Sequence, residues 1–230
     1  MRVVALIPAK SRSLRLPGKN TKSLAGLPLF MHGVRVAQAA TEVGQVYVSS
    51  DSPEILAVAA RDAVGGLLRP PALCAGEATN FQVMCYHLAE WRKIDQEPDI
   101  LVLLQPTTPF RSSDALDAII RRFVSDPQAD SAITVAPAAR VRGYLEDGYW
   151  VPENRATTSS GRMQAHGNWQ EATGHAILLR PRRTLDRGSL LGERILSEPL
   201  PADWLDVDID TEPDWKLAQG YALAVMEKSA

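Results

Sequence analysis

Leu6-Ile7-Pro8-Ala9-Lys10-Ser11-Arg12-Ser13-Leu14-Arg15-Leu16-Pro17-Gly18-Lys19-Asn20 is the stretch that decides the fold. It starts inside a short apolar run, Val3 to Ile7, that lacks alternation and stops at Pro8, the pattern of a buried strand. A polar loop follows at once. It carries Lys10, Arg12, Arg15 and Lys19, spaced by the small residues Ala9, Ser11 and Ser13 and turned by Pro17-Gly18. A basic, small-residue loop off the carboxyl end of a first strand is where an open α/β sheet binds a nucleotide. Backbone N–H groups there can cradle phosphates, and Lys or Arg neutralises their charge. The spacing is neither that of a Walker A loop nor G-x-G-x-x-G. A solvated basic loop is the plainer alternative.

The rest of the composition makes this basic start a local feature. Across 230 residues the formal net charge is -2, so nothing suggests a general nucleic-acid or membrane-surface binder, and the local basic start favours a small anionic ligand. Hydrophobic content of 45% and charged content of 23% are those of a soluble globular protein with a sizeable core. Cys74 and Cys85 form no CxxC or Cys/His cluster, so they read as reduced thiols of a cytoplasmic protein rather than zinc ligands. The N-terminal apolar run is too short for a signal peptide, and no stretch is long enough to span a membrane.

Outward from the loop, helices alternate with strands. Leu27 to Ala40 has apolar residues at helical spacing and is opened by Pro28. Gln45 to Ser49 reads as a strand. Ser52 then caps a helix with Pro53 at its first position, running to about Val64 and ending at Gly65-Gly66. A short strand, Leu67 to Arg69, precedes Pro70-Pro71, and a further helix spans about Thr79 to Lys93. Asp99 to Leu104 is the clearest buried strand, Ser112 or Ser113 caps a helix to about Phe123, and Asp130 to Val135 is another strand. From Pro137 to Asn168 periodicity weakens, with a possible hairpin around Asp147-Gly148, so this stretch is an excursion serving a subunit contact or a substrate lid. Gly174 to Leu179 returns as a core strand. The sum is a three-layer α/β fold on a mostly parallel sheet, one domain over residues 1–230 with an excursion at about 137–170.

Two more segments carry chemistry. Gln105-Pro106-Thr107-Thr108-Pro109-Phe110-Arg111 follows the buried strand, and its prolines stiffen a loop that offers an amide, two hydroxyls and a guanidinium. It is either a ligand loop or a capped turn. In Leu205-Asp206-Val207-Asp208-Ile209-Asp210-Thr211 the three carboxylates alternate, and in an extended chain they share one face. Their mutual repulsion calls for a cation, and carboxylates with phosphate oxygens and water suit Mg²⁺. A solvent-facing edge running into a helix capped by Thr211 is the alternative, most of all for Asp206.

Taken together, Ile7 to Asn20, Leu103 to Arg111 and Asp206 to Thr211 resemble the three motifs of the acylneuraminate cytidylyltransferases, the CMP-sialic acid synthetases. Val48-Ser49-Ser50-Asp51 and Leu68-Arg69-Pro70 match in the right order, and the likeness is weakest between about 137 and 172. The resemblance implies a Rossmann-like nucleotidyltransferase, a homodimer, and transfer of CMP from CTP to the anomeric hydroxyl of an acidic nine-carbon sugar, with release of pyrophosphate. It implies that Lys19 binds phosphate and acts in catalysis. Ala9, Lys10, Ser13, Arg15 and Asn20 line the nucleotide site, with Arg69 and Thr79 near cytosine and ribose. By the same resemblance Asp208 and Asp210 hold Mg²⁺, and Gln105, Thr107, Arg162, Gln164 and Thr173 meet the sugar. Products of this kind serve a capsule, a lipopolysaccharide or a flagellin glycan.

Several residues depart from the family pattern. Lys10 stands where an Arg is usual, Leu14 where many members have Lys, and Glu171 and Thr173 where an Arg and an Asn commonly meet the sugar. Glu171 would repel a sugar carboxylate, so the expectation is an altered acceptor such as a diamino nonulosonic acid. A Kdo-like octulosonate and a non-catalytic nucleotide-binding relative are the alternatives. His32 and His87 read as structural, and Trp91, Trp204 and Trp215 as packing residues.

Overall fold

The computed structural model describes residues 1–74, 78–137, 143–147, 149–152, 170–200 and 206–228. Its main sheet has seven strands: β1 (Val3–Pro8), β4 (Gln45–Ser50), β5 (Gly65–Leu68), β6 (Ile100–Leu103), β7 (Ser131–Pro137), β10 (Gln170–Leu179) and β11 (Ile195–Pro199). Their spatial order is β11-β7-β10-β6-β1-β4-β5. β1 pairs in parallel with β4 and β6, β4 with β5, and β7 with β11. Among the described residues, β10 alone in this sheet runs against its neighbours, β6 and β7. Two small ladders lie apart, β2 (Ser23–Leu24) with β3 (Leu27–Pro28) and β8 (Gly143–Glu146) with β9 (Tyr149–Pro152), the latter turning at Asp147 with φ of 50°.

Apolar alternation is absent from β1 because both faces of the sheet are covered. Val3, Ala5 and Ile7 pack towards α1 (Leu29–Ala39), α2 (Pro53–Arg61) and α4 (Ser113–Ser125), through Phe30, Val34, Ile55, Ile120 and Phe123. Val4 and Leu6 face α3 (Asn80–Lys93), meeting Met84, Leu88 and Trp91. A third cluster joins Leu16, Leu24 and Leu29 to Val207 and Ile209, and to Trp215, Ala218 and Ala222 of α5 (Glu212–Lys228). Burying such side chains contributes roughly 1.5–3 kcal/mol each, so this small core fastens the start of the chain to its end. Among the described residues no helix is long and apolar enough to cross a membrane.

Ser52 caps α2 by accepting from the Ile55 N–H, and Thr79 and Gln82 form a reciprocal capping box on α3. Ser112, not Ser113, caps α4. One expectation needs correction. Gly65 and Gly66 do not end α2, which stops at Arg61; they open β5, and Gly65 leaves room for the Tyr47 ring, which a Cβ would strike at 2.4 Å. The edge strand β11 was unexpected. Its Ile-Leu-Ser-Glu-Pro sequence has no apolar alternation, and its Glu198 is buried against Arg122 at 2.8 Å.

Candidate active site

The parallel strands deliver the polar loops to one edge. β1 leads into the basic loop, β4 into Asp51, β5 into Arg69 and β6 into Gln105. The carboxyl edge of such a sheet is the usual ligand crevice of an open α/β fold.

At its centre lies Lys19, 7% exposed in spite of its charge. Its Nζ donates to the Ile209 carbonyl at 2.7 Å and to Asp210 Oδ1 at 2.8 Å. Arg15 holds the other oxygen of Asp210 at 2.7 Å. The first and last motifs of the chain therefore meet through one carboxylate and two cations. Leu16, buried beside Val207 and Ile209, pins the loop from below, while Leu14 stands 92% exposed. Residues 206–210 alternate as expected: Val207 and Ile209 are buried, Asp206 and Asp208 exposed, and Asp210 half-buried. The Ile209 N–H donates to the Thr107 carbonyl at 2.8 Å, which ties this segment to the loop after β6.

The basic loop is rigidified by its neighbours. Ala9 N–H donates to the Ser49 carbonyl at 2.8 Å, and Asn20 Nδ2 donates to the Lys10 carbonyl at 2.8 Å. Asp51 accepts from both the backbone N–H and the hydroxyl of Ser11. Burial pushes the Asp51 carboxyl up, but the Ser11 hydrogen bonds outweigh it and hold the group below the usual carboxylate range. The N–H groups of residues 9 and 11 thus already have partners within the protein, so of the backbone cradle expected here these two are taken. Lys10, Arg12 and Arg15 remain exposed around it, with Ser13 half-buried.

In the loop after β6 the guanidinium of Arg111 turns inward. It donates to the carbonyls of Gln105 and His175 and to the Thr108 hydroxyl. Burial pushes it down to about 9, which leaves it charged at neutral pH. Arg111 and Thr108 are therefore fasteners, and Gln105 and Thr107 are the half-buried residues left at the edge. Gln105 lies over Gly174, whose φ is +45° and whose position would set a Cβ 3.2 Å from Gln105 Nε2. Gly174→Ala is expected to lose about 1–2 kcal/mol from the left-handed backbone, a fall in Tm of about 3–6 °C. An unchanged melting temperature would contradict that account.

Thr173 is placed differently from the expectation. It is buried, and its hydroxyl bonds Thr134 Oγ1 at 2.8 Å across β10 and β7. Thr79 is the cap of α3. Arg162 and Gln164 lie outside the described residues. Glu171, half-buried at the start of β10, and Asp208 add to the burial that raises Asp206 above the usual carboxylate range. His32 is structural, its ring nitrogen 2.9 Å from the Leu24 carbonyl, and Trp91 and Trp215 are buried.

Sequence reading missed one network: the buried trio Ser49, Arg69 and His87. Burial and the nearby Arg69 charge push His87 down to about 4 from an ordinary 6.5. Between those values the unfolded chain holds the proton and the folded one does not. Stability is therefore full above about pH 6.5 and falls as pH drops towards 4, by roughly 3 kcal/mol at the limit. His87→Gln should flatten the fall of Tm over that window; an unaltered slope would sink the assignment.

Residues 4–147 match the family model described as cytidylyltransferase. The chain belongs to the cytidylyltransferase family. This cytidylyltransferase is 26% identical to the CMP-N,N'-diacetyllegionaminic acid synthase of Legionella pneumophila, over 95% of each chain. It is 33% identical to the N-acylneuraminate cytidylyltransferase of Escherichia coli over 53% of its own length and 28% of that protein's. It is 32% identical to the 3-deoxy-manno-octulosonate cytidylyltransferase of Bradyrhizobium diazoefficiens over 56% of its own length and 50% of the relative's. The matched region thus spans half or less of those last two. A structure of CMP:2-keto-3-deoxy-manno-octonic acid synthetase complexed with CTP superposes with a TM-score of 0.68 at 17% identity, covering 100% of both chains. The 4-diphosphocytidyl-2C-methyl-D-erythritol synthase of Anaerococcus prevotii gives 0.69 at 13% identity over 96% of each. At such identities the likeness is one of fold, and that fold is the Rossmann-like, mostly parallel sheet expected.

Proposed function

We propose that this cytidylyltransferase transfers CMP from CTP to the anomeric hydroxyl of a sialic-acid-like nonulosonic acid and releases pyrophosphate. The observation that carries the reading is the meeting of Arg15, Lys19 and Asp210 at the carboxyl edge of the parallel strands. In the reaction the anomeric hydroxyl gives up its proton to solvent as its oxygen forms a bond to the α-phosphorus. The bond from that phosphorus to the bridging oxygen of the β-phosphate breaks, and pyrophosphate leaves with the electron pair. Such a transfer is served mainly by positioning and charge neutralisation.

Lys19 is the residue for the developing charge, since its ammonium is fixed in place before substrate arrives. Arg15, paired with Asp210, and the exposed Lys10 and Arg12 add positive charge from the same loop. Lys10 supplies a point charge where an Arg would supply a fork. Arg69 lies at the strand end that would receive the base. Gln105 and Thr107 lie where the acceptor would enter. Full-length similarity to a diacetyllegionaminate-activating relative, together with the acidic Glu171, supports an acceptor other than N-acetylneuraminate.

Asp208 and Asp210 would hold Mg²⁺. Both are carboxylates on one face of an extended segment, and binding there would draw Asp210 away from its contacts with Lys19 and Arg15. Two carboxylates completed by water and phosphate oxygens are what Mg²⁺ takes. When bound it would neutralise phosphate charge. The protein's own part is to present those two carboxylates beside Lys19. The motif resemblance also supports a cytoplasmic homodimer.

The test is pyrophosphate release from CTP and Mg²⁺ across a panel of nonulosonic and octulosonic acids, with Asp210→Ala as control. Release with a nonulosonic acid, abolished in the control, is the expected result. Preference for an octulosonate would move the acceptor class, and binding of CTP without turnover on any acid would make the protein a nucleotide-binding relative.

A further inference from the structure

Arg69, just past β5, is buttressed from inside the sheet. Its Nε donates to Ser49 Oγ at 3.0 Å and its Nη2 to the Ser49 carbonyl at 3.1 Å. Ser49 Oγ in turn lies 2.8 Å from Nε2 of His87, in the middle of α3. Exposure is 7% for Arg69, 0% for Ser49 and 2% for His87. Three elements thus converge on one guanidinium. The imidazole is itself walled in, with the Tyr86 ring at 5.2 Å and the Trp91 ring at 6.2 Å.

The chemistry of the chain is one-directional. Arginine can only donate, so Ser49 must accept from it. A neutral imidazole can take the Ser49 hydroxyl proton in a hydrogen bond and leave the oxygen lone pairs for Arg69. A protonated ring would instead place a second cation on the same hydroxyl. Asp51, the carboxylate whose charge favours Arg69, is bonded to Ser11 rather than to the guanidinium. Ser49 takes the Nε–Nη2 side of the fork, so the Nη1–Nη2 edge, with its two parallel N–H vectors, is the side these two bonds leave over.

We propose that His87 and Ser49 are positioning residues that fix the Arg69 guanidinium for the pyrimidine base and so set a preference for cytosine over uracil. The inference rests on the cytidylyltransferase reading of this edge. Cytosine offers adjacent acceptors at O2 and N3, whereas uracil carries a donor at N3. A pair of donors held at a fixed angle distinguishes them, and a swinging guanidinium does so poorly. Preorganised hydrogen bonds of this kind lose their discrimination when the supporting group is removed.

The experiment is calorimetry of the full-length protein with CTP, UTP and inorganic tripolyphosphate in Mg²⁺, for wild type, His87→Ala, His87→Gln and Ser49→Ala. His87→Ala is expected to weaken CTP about tenfold and to narrow the CTP-to-UTP ratio, with tripolyphosphate binding unchanged. His87→Gln, which keeps a polar atom near the Nε2 position, should restore most of the ratio, and Ser49→Ala should behave like His87→Ala. In turnover, KM for CTP should rise while kcat stays within threefold. An unchanged ratio in His87→Ala, or equal losses for CTP and tripolyphosphate, would overturn the positioning role. Wild-type protein that binds UTP as tightly as CTP would overturn the cytidylyl reading beneath it, and this inference with it.

Discussion

Lys19→Ala is expected to lower kcat/KM for CTP-dependent pyrophosphate release by about 10²- to 10³-fold, the scale of losing one preorganised charge donor at a transferring group. The reason lies in the ground state already. The ammonium is buried and aimed, so little reorganisation is left for the moment of reaction. Its removal also strips a donor from the Ile209 carbonyl and one of two cations from Asp210. Leaving that carbonyl unpaired costs about 1–3 kcal/mol, so the variant should melt lower yet still fold. Lys19→Arg keeps the charge but substitutes a planar fork for a compact ammonium in a tight space, and should recover only part of the rate. Steady-state release read beside thermal melts separates the two effects. A kcat/KM within threefold of wild type in Lys19→Ala would remove Lys19 from the chemistry.

The largest effect on stability is expected at Arg111. Its guanidinium supplies hydrogen bonds to Gln105, Thr108 and His175, and so fastens the loop after β6 to β10. Arg111→Leu keeps apolar bulk but leaves two carbonyls and a hydroxyl without this donor. Gln105 keeps the weaker donors of Thr108, so the main loss is at His175 and in the tie between the two elements; at about 1–3 kcal/mol for a buried group left unsatisfied plus about 1 kcal/mol for each further bond lost, it comes to about 4 kcal/mol, near 10 °C in Tm for a chain of this size. Arg111→Lys should rescue little, since one ammonium cannot span three acceptors set around a plane. A melt within 2 °C of wild type for Arg111→Leu would show that these contacts carry no stability.

Much of this is legible in the sequence. The buried strand ahead of the basic loop, the Ser52 and Thr79 caps and the alternation of Asp206, Asp208 and Asp210 were readable because each rests on a local rule. What escaped reading is non-local. Arg111 looked like a ligand because it sits in a polar loop, and only the packing of β10 shows its donors turned inward. His87 and Ser49 are far apart in sequence, and neither spacing nor composition announces that they share an arginine. Thr173 is spent on Thr134, a pairing set by the register of β10 against β7. β11 has no apolar signature because, as an edge strand, it is paired on one side only. The two glycines before Leu67 misled by their usual meaning at a helix end; here they open β5, and Gly65 serves the close approach of Tyr47.

The alternation in residues 206–210 bears on which genetic changes this segment can survive. It is anchored at one side by Ile209 on Thr107 and at the other by the Asp214 carboxylate, which accepts from the N–H groups of Asp210 and Thr211. Substitutions on the outward positions leave the packing intact. A single inserted or deleted codon reverses the facing of every residue up to the anchor, burying carboxylates and exposing Val207 or Ile209. Insertions and deletions here should therefore be lost at the level of soluble expression, while point changes at Asp206 and Asp208 yield folded protein. The length of this segment is held more strictly than the identity of its outward-facing residues.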